Sequence, residues 1–128
     1  MNYISIMLGG ALGTGARFWL SGIMSARYGD AFPFGTLLVN VSGCFLVGLV
    51  ATALDPGGRF IASPSARQFF VVGVFGGYTT FSAFGLQTLE LATRGDWLKA
   101  FINAGSSLVL CLLAVWLGRA IALALLPR

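Results

Sequence analysis

The stretch Gly73-Val74-Phe75-Gly76-Gly77-Tyr78-Thr79-Thr80-Phe81-Ser82-Ala83-Phe84 carries hydroxyls, aromatic rings and two adjacent glycines, and no charge. Its chemistry is therefore neutral. Adjacent glycines followed by two threonines predict a break in a helix near Gly76-Gly77. Backbone carbonyls freed at such a break can ligate a hard cation. In lipid a break survives only where protein or a cavity satisfies the freed groups. Phe81 and Phe84, three residues apart, share one helix face, and the positive edges of their rings can meet a small anion. Plain packing is the alternative reading of such a pair.

Other polar residues sit inside apolar runs. Asn40 lies near the middle of the uncharged run 31–54, where an amide either bridges helices or lines a polar path. Asn40-Val41-Ser42 matches a glycosylation acceptor, but a site at membrane depth cannot be reached. Asn103, Ser106 and Ser107 fall on roughly one helical face, as a polar stripe or as interhelical glue. Arg17 follows Gly9-Gly10-Ala11-Leu12-Gly13-Thr14-Gly15-Ala16. An intramembrane Arg marks a water-filled pathway, unless it snorkels to the interface. Gly9 and Gly13 form a small-xxx-small packing face. No strand precedes them and no Lys-Ser/Thr pair follows, so a phosphate-binding loop is a poor reading.

Missing groups narrow the function classes. The chain has no histidine, no paired intramembrane carboxylates, and only Glu90 close to a span interior. Proton-coupled pumps rely on Asp, Glu or His relays, and hydrolases need a nucleophile with a base. Passive permeation is the chemistry that remains, and no enzymatic activity is expected.

The elements that must position these residues follow from composition. Of 128 residues, 57% are apolar and 9% charged, against about 25% charged in soluble domains. A spanning helix needs roughly 20 apolar residues. Uncharged runs cover 31–54, 68–89 and 100–118, and a fourth apolar pattern runs from the N-terminus past Arg17 to about Ala26. The expectation is an all-α integral membrane protein with four transmembrane helices, the third broken mid-membrane, in one domain over 1–128. The first segment lacks the basic region of a signal peptide and is read as a retained helix. Cys44 and Cys111 both fall inside apolar spans, as buried small hydrophobes. The net charge of +4 suits anionic membrane lipid, and no Lys/Arg run points to nucleic acid.

Four spans put both termini on one face. That face would carry Arg59, Arg67, Arg119 and Arg128, against Arg27, Arg94, Lys99 and Arg17 on the other. Lys/Arg imbalance normally sets orientation, and here there is little. Either an unseen signal fixes the topology, or the chain inserts both ways up. The second reading opens the way to an antiparallel homodimer with a two-fold axis in the membrane plane.

Taken together, these residues resemble the Fluc, or CrcB-like, fluoride channel family. Gly76-Gly77-Tyr78-Thr79-Thr80-Phe81-Ser82-Ala83-Phe84 is similar to the family's GG-aromatic-TTFS-x-F signature. Gly35-Thr36-Leu37-Leu38-Val39-Asn40-Val41-Ser42-Gly43 and the Gly9–Arg17 stretch match in order. The resemblance covers nearly the whole chain. It implies a dual-topology homodimer with two pores that pass fluoride passively, and fluoride resistance in a microbial inner (plasma) membrane. It further implies that Phe81, Phe84 and Asn40 line the fluoride pathway, and that a structural sodium ion is held at the dimer centre by backbone carbonyls, placed here at Gly76 and Thr79. Thr80, Ser82, Ser107 and Arg17 complete the expected pathway. Tyr78 stands where Phe is frequent in the family, and Ala83 where Ser or Thr is, which removes one hydroxyl. A small-multidrug-type proton-coupled transporter is the alternative, but it would need a carboxylate in helix 1, and none is there. A structural subunit of a larger complex is a third reading.

Overall fold

The computed structural model describes residues 3–56 and 62–125. Every regular element among them is helical: α1 (Tyr3–Tyr28), α2 (Phe34–Ala53), α3 (Pro64–Gln68), a π-helical turn over Phe69–Val74, α4 (Phe75–Tyr78), α5 (Phe81–Thr93) and α6 (Trp97–Leu125). Arg59 and Arg128, two of the basic residues in the orientation count, lie outside the described residues.

Local chemistry sets several of the boundaries. Ser63 caps α3, its hydroxyl accepting from the Ala66 N–H at 3.2 Å, with Pro64 in the first turn. Glycine ends α1 and α5 in left-handed conformation, at Gly29 (φ 70°) and Gly95 (φ 86°). At the end of α5 the Gly95 N–H donates to the Ala92 carbonyl and the Asp96 N–H to the Leu91 carbonyl, a Schellman arrangement that satisfies two orphan acceptors. Tyr28, Phe32 and Phe34 then cluster their rings at 4.8–5.7 Å over the α1–α2 turn.

Three helical stretches are long and apolar enough to cross a bilayer: Phe34–Ala53, Pro64–Thr93 and Trp97–Leu125. Four were expected. The remaining helix, α1, has 26 residues, about 39 Å at 1.5 Å per residue. Its glycines and its Thr14, Arg17, Ser21 and Ser25 keep it less apolar than the other three. Conversely, α6 runs past Arg119, because a single exposed charge does not end a helix.

Burial is arranged for an apolar solvent. The packed interior holds small or polar groups, among them Ala100, Ala114, Ala122, Thr36, Asn40, Asn103 and Ser107. Leu12, Phe18, Trp19, Leu112 and Trp116 face outward. Lipid tails are as apolar as leucine, so helix association there depends on close packing and interhelical hydrogen bonds. Two glycine seams supply that packing. Along α1, Gly9 and Gly13 lie against the backbone of the π-helical turn and α4, and a Cβ on Gly13 would collide with the Val74 carbonyl. Between α2 and α6, a Cβ on Gly48 would strike the Val115 carbonyl and one on Gly118 the Phe45 carbonyl. The expected packing role of Gly9 and Gly13 is what the structure gives.

Candidate functional site

The helix that begins at Pro64 stops at Tyr78. Thr79 (φ −77°, ψ 157°) and Thr80 (φ −150°, ψ 112°) are extended, and α5 begins at Phe81. The interruption thus falls at the threonines, and not at Gly76-Gly77 as expected. Both glycines stay helical, and Gly77 serves packing: a Cβ on it would sit 2.5 Å from the Gly10 carbonyl of α1. Thr80 is the residue that sets the restart. Its hydroxyl accepts from the Ala83 N–H at 3.2 Å, as an N-cap does.

Thr80, extended at the restart, has no helical acceptor for its N–H, and Asn40 supplies one while adding a donor to a carbonyl that already opens α5. The Thr80 N–H donates to Asn40 Oδ1 at 2.7 Å, and Asn40 Nδ2 donates to the Thr80 carbonyl at 2.9 Å. Asn40 is 9% exposed and Thr80 8%. This reciprocal amide pair ties α2 to the interruption. Of the alternatives weighed for Asn40, bridging between elements is realised, and the same side chain also borders a groove. Each of its polar atoms keeps capacity beyond the clamp, one N–H and one lone pair.

The clamp has a consequence for the carbonyls of α4. The Thr79 N–H and hydroxyl both donate to the Phe75 carbonyl, at 3.0 and 2.9 Å. A continuing helix would direct the Thr80 N–H to the Gly76 carbonyl, but Asn40 takes it instead. The Gly76 carbonyl is released from the helical ladder, beside the extended Thr79. The Gly77 carbonyl receives only a long contact, 3.4 Å, from the Thr14 hydroxyl.

An open, mainly apolar groove of about 650 Å³ runs past this point, bordered by Asn40, Gly76, Thr80, Phe81, Phe84 and Ser107. Phe81 is 82% exposed. Its ring centroid lies 5.3 Å from that of Phe84, the planes tilted by 48°. Ser82 is exposed, with its hydroxyl 3.4 Å from that of Thr80. Most of the expected pathway residues are therefore brought together. Arg17 is half-buried on α1 and is not among the residues bordering the groove. The polar stripe of α6 divides: Ser107 faces the groove, whereas Asn103, 1% exposed, donates to the Thr88 hydroxyl at 2.8 Å and joins α6 to α5. Ser106 turns to the Asn103 carbonyl at 3.5 Å.

A second, more polar pocket of about 230 Å³ was not anticipated. Ser21, Thr36, Gln87, Glu90 and Arg94 border it, and the Gln87 Oε1 is buried without a hydrogen-bond partner among the described residues. The signal was present in the sequence: Gln87 lies one turn beyond Phe84, and Thr36 one turn before Asn40, each on the same helical face. Tyr78 also finds a role, since its hydroxyl and that of Ser42 are 2.8 Å apart.

Comparison with known proteins places the chain in a family. The family model described as "CrcB-like protein, Camphor Resistance (CrcB)" matches residues 4–119. A protein of Opitutus terrae named fluoride-specific ion channel FluC is 53% identical over 123 residues, 96% of this chain and 93% of its own length. One of Methylocella silvestris bearing the same name is 49% identical over 98% of this chain and 95% of its own. A third, from Rhodospirillum rubrum, is 51% identical over 92% of each. With three helices able to span a bilayer and relatives named as channels, this is a multi-pass membrane protein. The chain belongs to the CrcB-like family.

Proposed function

We propose that the chain is a fluoride channel that exports the anion passively. The observation that carries this reading is the exposed Phe81–Phe84 pair beside the Asn40–Thr80 clamp on an open groove. Fluoride is small and strongly hydrated, so a pore must replace its water with weak donors. Ring edges, the remaining Asn40 N–H and the Thr80, Ser82 and Ser107 hydroxyls supply such donors without a fixed charge. A Lys or Arg at the narrowest point would hold the ion too long. Arg17, away from the groove, serves the approach to the path.

No coupling residue is needed. Neutral HF crosses lipid and dissociates in a near-neutral cytosol, and a negative-inside potential drives the anion out at about 2.3 kcal/mol per 100 mV. The place of action is the inner (plasma) membrane, with α1 as the fourth span and the interruption at mid-membrane.

The working unit is an antiparallel homodimer. The near-equal Lys/Arg distribution supports insertion in both orientations, and a face with Phe81 fully outward calls for a covering surface. The Gly76 and Thr79 carbonyls fit a structural sodium ion: one is released by the clamp and the other lies in extended chain. Two inverted copies would offer four carbonyl oxygens as ligands to the ion at the dimer centre.

Purified protein in liposomes provides the test. Fluoride release under a fluoride gradient alone, without a proton gradient, is the expected result. Drug–proton exchange would point to the multidrug-type transporter, and absence of any flux to a structural subunit. Replacing sodium by a larger organic cation is expected to abolish flux, and unchanged flux would remove the sodium from the reading.

A further inference from the structure

The sequence contains two cysteines, and the fold brings them together. Cys44 on α2 and Cys111 on α6 are both free, both half-buried and both border the groove. Their side chains lie close enough to interact with one another. The register of the two helices explains why. As the first and third of three successive spans, α2 and α6 run in the same direction, and Gly48 meets Val115 where their backbones approach. Asn40 with Ser107, Cys44 with Cys111, and Gly48 with Val115 then follow one another at four-residue steps on each helix. At the Gly48 step the backbones touch, and one turn away the two cysteines border the same groove. One turn further lie the polar groups of the proposed ion path.

We propose that Cys44 and Cys111 form a two-sulfur site for a soft divalent cation of the Hg(II) type, held linearly between α2 and α6. Two thiols suit an ion that is satisfied by two sulfur ligands. They do not suit zinc, which takes four; the described residues hold no cluster of three or more His, Cys, Asp and Glu. The reaction is balanced without oxidation or reduction: each sulfur exchanges its proton for a bond to the metal, and two protons leave. Charge favours the divalent ion. Two thiolates and one divalent cation give a neutral product, whereas a monovalent soft ion would leave a net negative charge in an apolar groove, at high cost. Thiolate is the ligating form, and the metal displaces the proton itself.

Binding is independent of what the channel carries. Its consequence for transport rests on the proposed function, since a metal bridge one turn from Asn40 and Ser107 would narrow the fluoride path.

The test uses the full chain in detergent and in liposomes, with mercuric chloride as the probe. At one equivalent per chain, intact mass is expected to rise by one metal less two protons, with both thiols lost to a thiol reagent and restored by a dithiol. In competition with a monothiol, C44S and C111S are each expected to hold the metal on the order of 10²-fold less tightly, the gain that an intramolecular second ligand gives. Two metals per chain, each capping one sulfur, would overturn the site, as would loss of thiols without retained metal. Fluoride release is expected to be lost on metal binding in the parent and untouched by metal in the C44S/C111S double variant. Flux that persists with one metal bound per chain would uphold the site and remove the groove from the ion path.

Discussion

The α1 seam and the Asn40–Thr80 clamp both hold the third helical stretch in place, by opposite means. Along α1 the absence of side chains is what matters: Gly9, Gly13, Gly73 and Gly77 let backbone meet backbone. At the clamp it is a side chain that matters, one amide accepting from the N–H that an extended threonine cannot place in a helix and donating to its carbonyl. The seam fixes where the stretch lies, and the clamp fixes where it stops being helical. Glycines beside an interruption thus need not cause it.

The largest effect is expected where the seam is closed by volume. Gly13→Val places a branched side chain into the Val74 carbonyl and the Tyr78 backbone, neither of which can yield. Overpacking of a well-packed core costs about 1–3 kcal/mol, and backbone against backbone gives less room to relax than side chain against side chain. Loss of folded protein by size-exclusion chromatography is the expected outcome. Parent-like yield and melting temperature would show that α1 stands off the neighbouring helix.

Asn40→Ala attacks the other region. It strands the Thr80 N–H in a buried position, at a cost of about 1–3 kcal/mol, whereas the Thr80 carbonyl keeps its bond in the first turn of α5. A fall in melting temperature in detergent together with loss of fluoride release is expected. Asn40→Asp separates the two halves of the clamp, keeping the acceptor for the Thr80 N–H and placing a carboxylate against the Thr80 carbonyl. Stability close to the parent in the alanine variant would mean that the clamp is incidental.

Phe81→Ile and Phe84→Ile sharpen the comparison from the functional side. Phe81 is 82% exposed, so in the single chain its replacement removes little packing. The quadrupole that meets an anion is lost while apolar bulk is kept. Folded dimer with fluoride release largely abolished is the expected result in liposomes. Conduction like the parent by both variants would reduce the pair to packing.

How far these features were legible in the sequence depended on their range. Helix existence followed from uncharged runs, and the Gly9/Gly13 face from spacing alone. Asn40, Phe81 and Phe84 were expected on one path from the family resemblance, and Ser107 came from the polar stripe of the last helix; all four border one groove. The position of the break did not. Gly76-Gly77 reads locally as a weak point in a helix, whereas in the fold Gly77 packs against Gly10 on another element and the pair stays helical. The role of Asn40 was likewise left between two readings, because its partner is 40 residues away in sequence. The pairing of Cys44 with Cys111 depends on the register between α2 and α6, which no local pattern encodes.

The smallest expected effect concerns Tyr78, which belongs to both regions. Its backbone ends α4 against Gly13, while its hydroxyl reaches Ser42 on α2 at 2.8 Å. Ser42 is not dependent on that contact, since its hydroxyl also donates to the Leu38 carbonyl at 2.7 Å. Tyr78→Phe removes one hydrogen bond and leaves no buried donor stranded, so the loss is about 0.5–1.5 kcal/mol. Ring and packing are retained, and the clamp two residues on is untouched. A small drop in melting temperature with fluoride release close to the parent is expected. Abolished release would place the Tyr78–Ser42 contact in the ion path and extend the functional region onto the outer turn of α2.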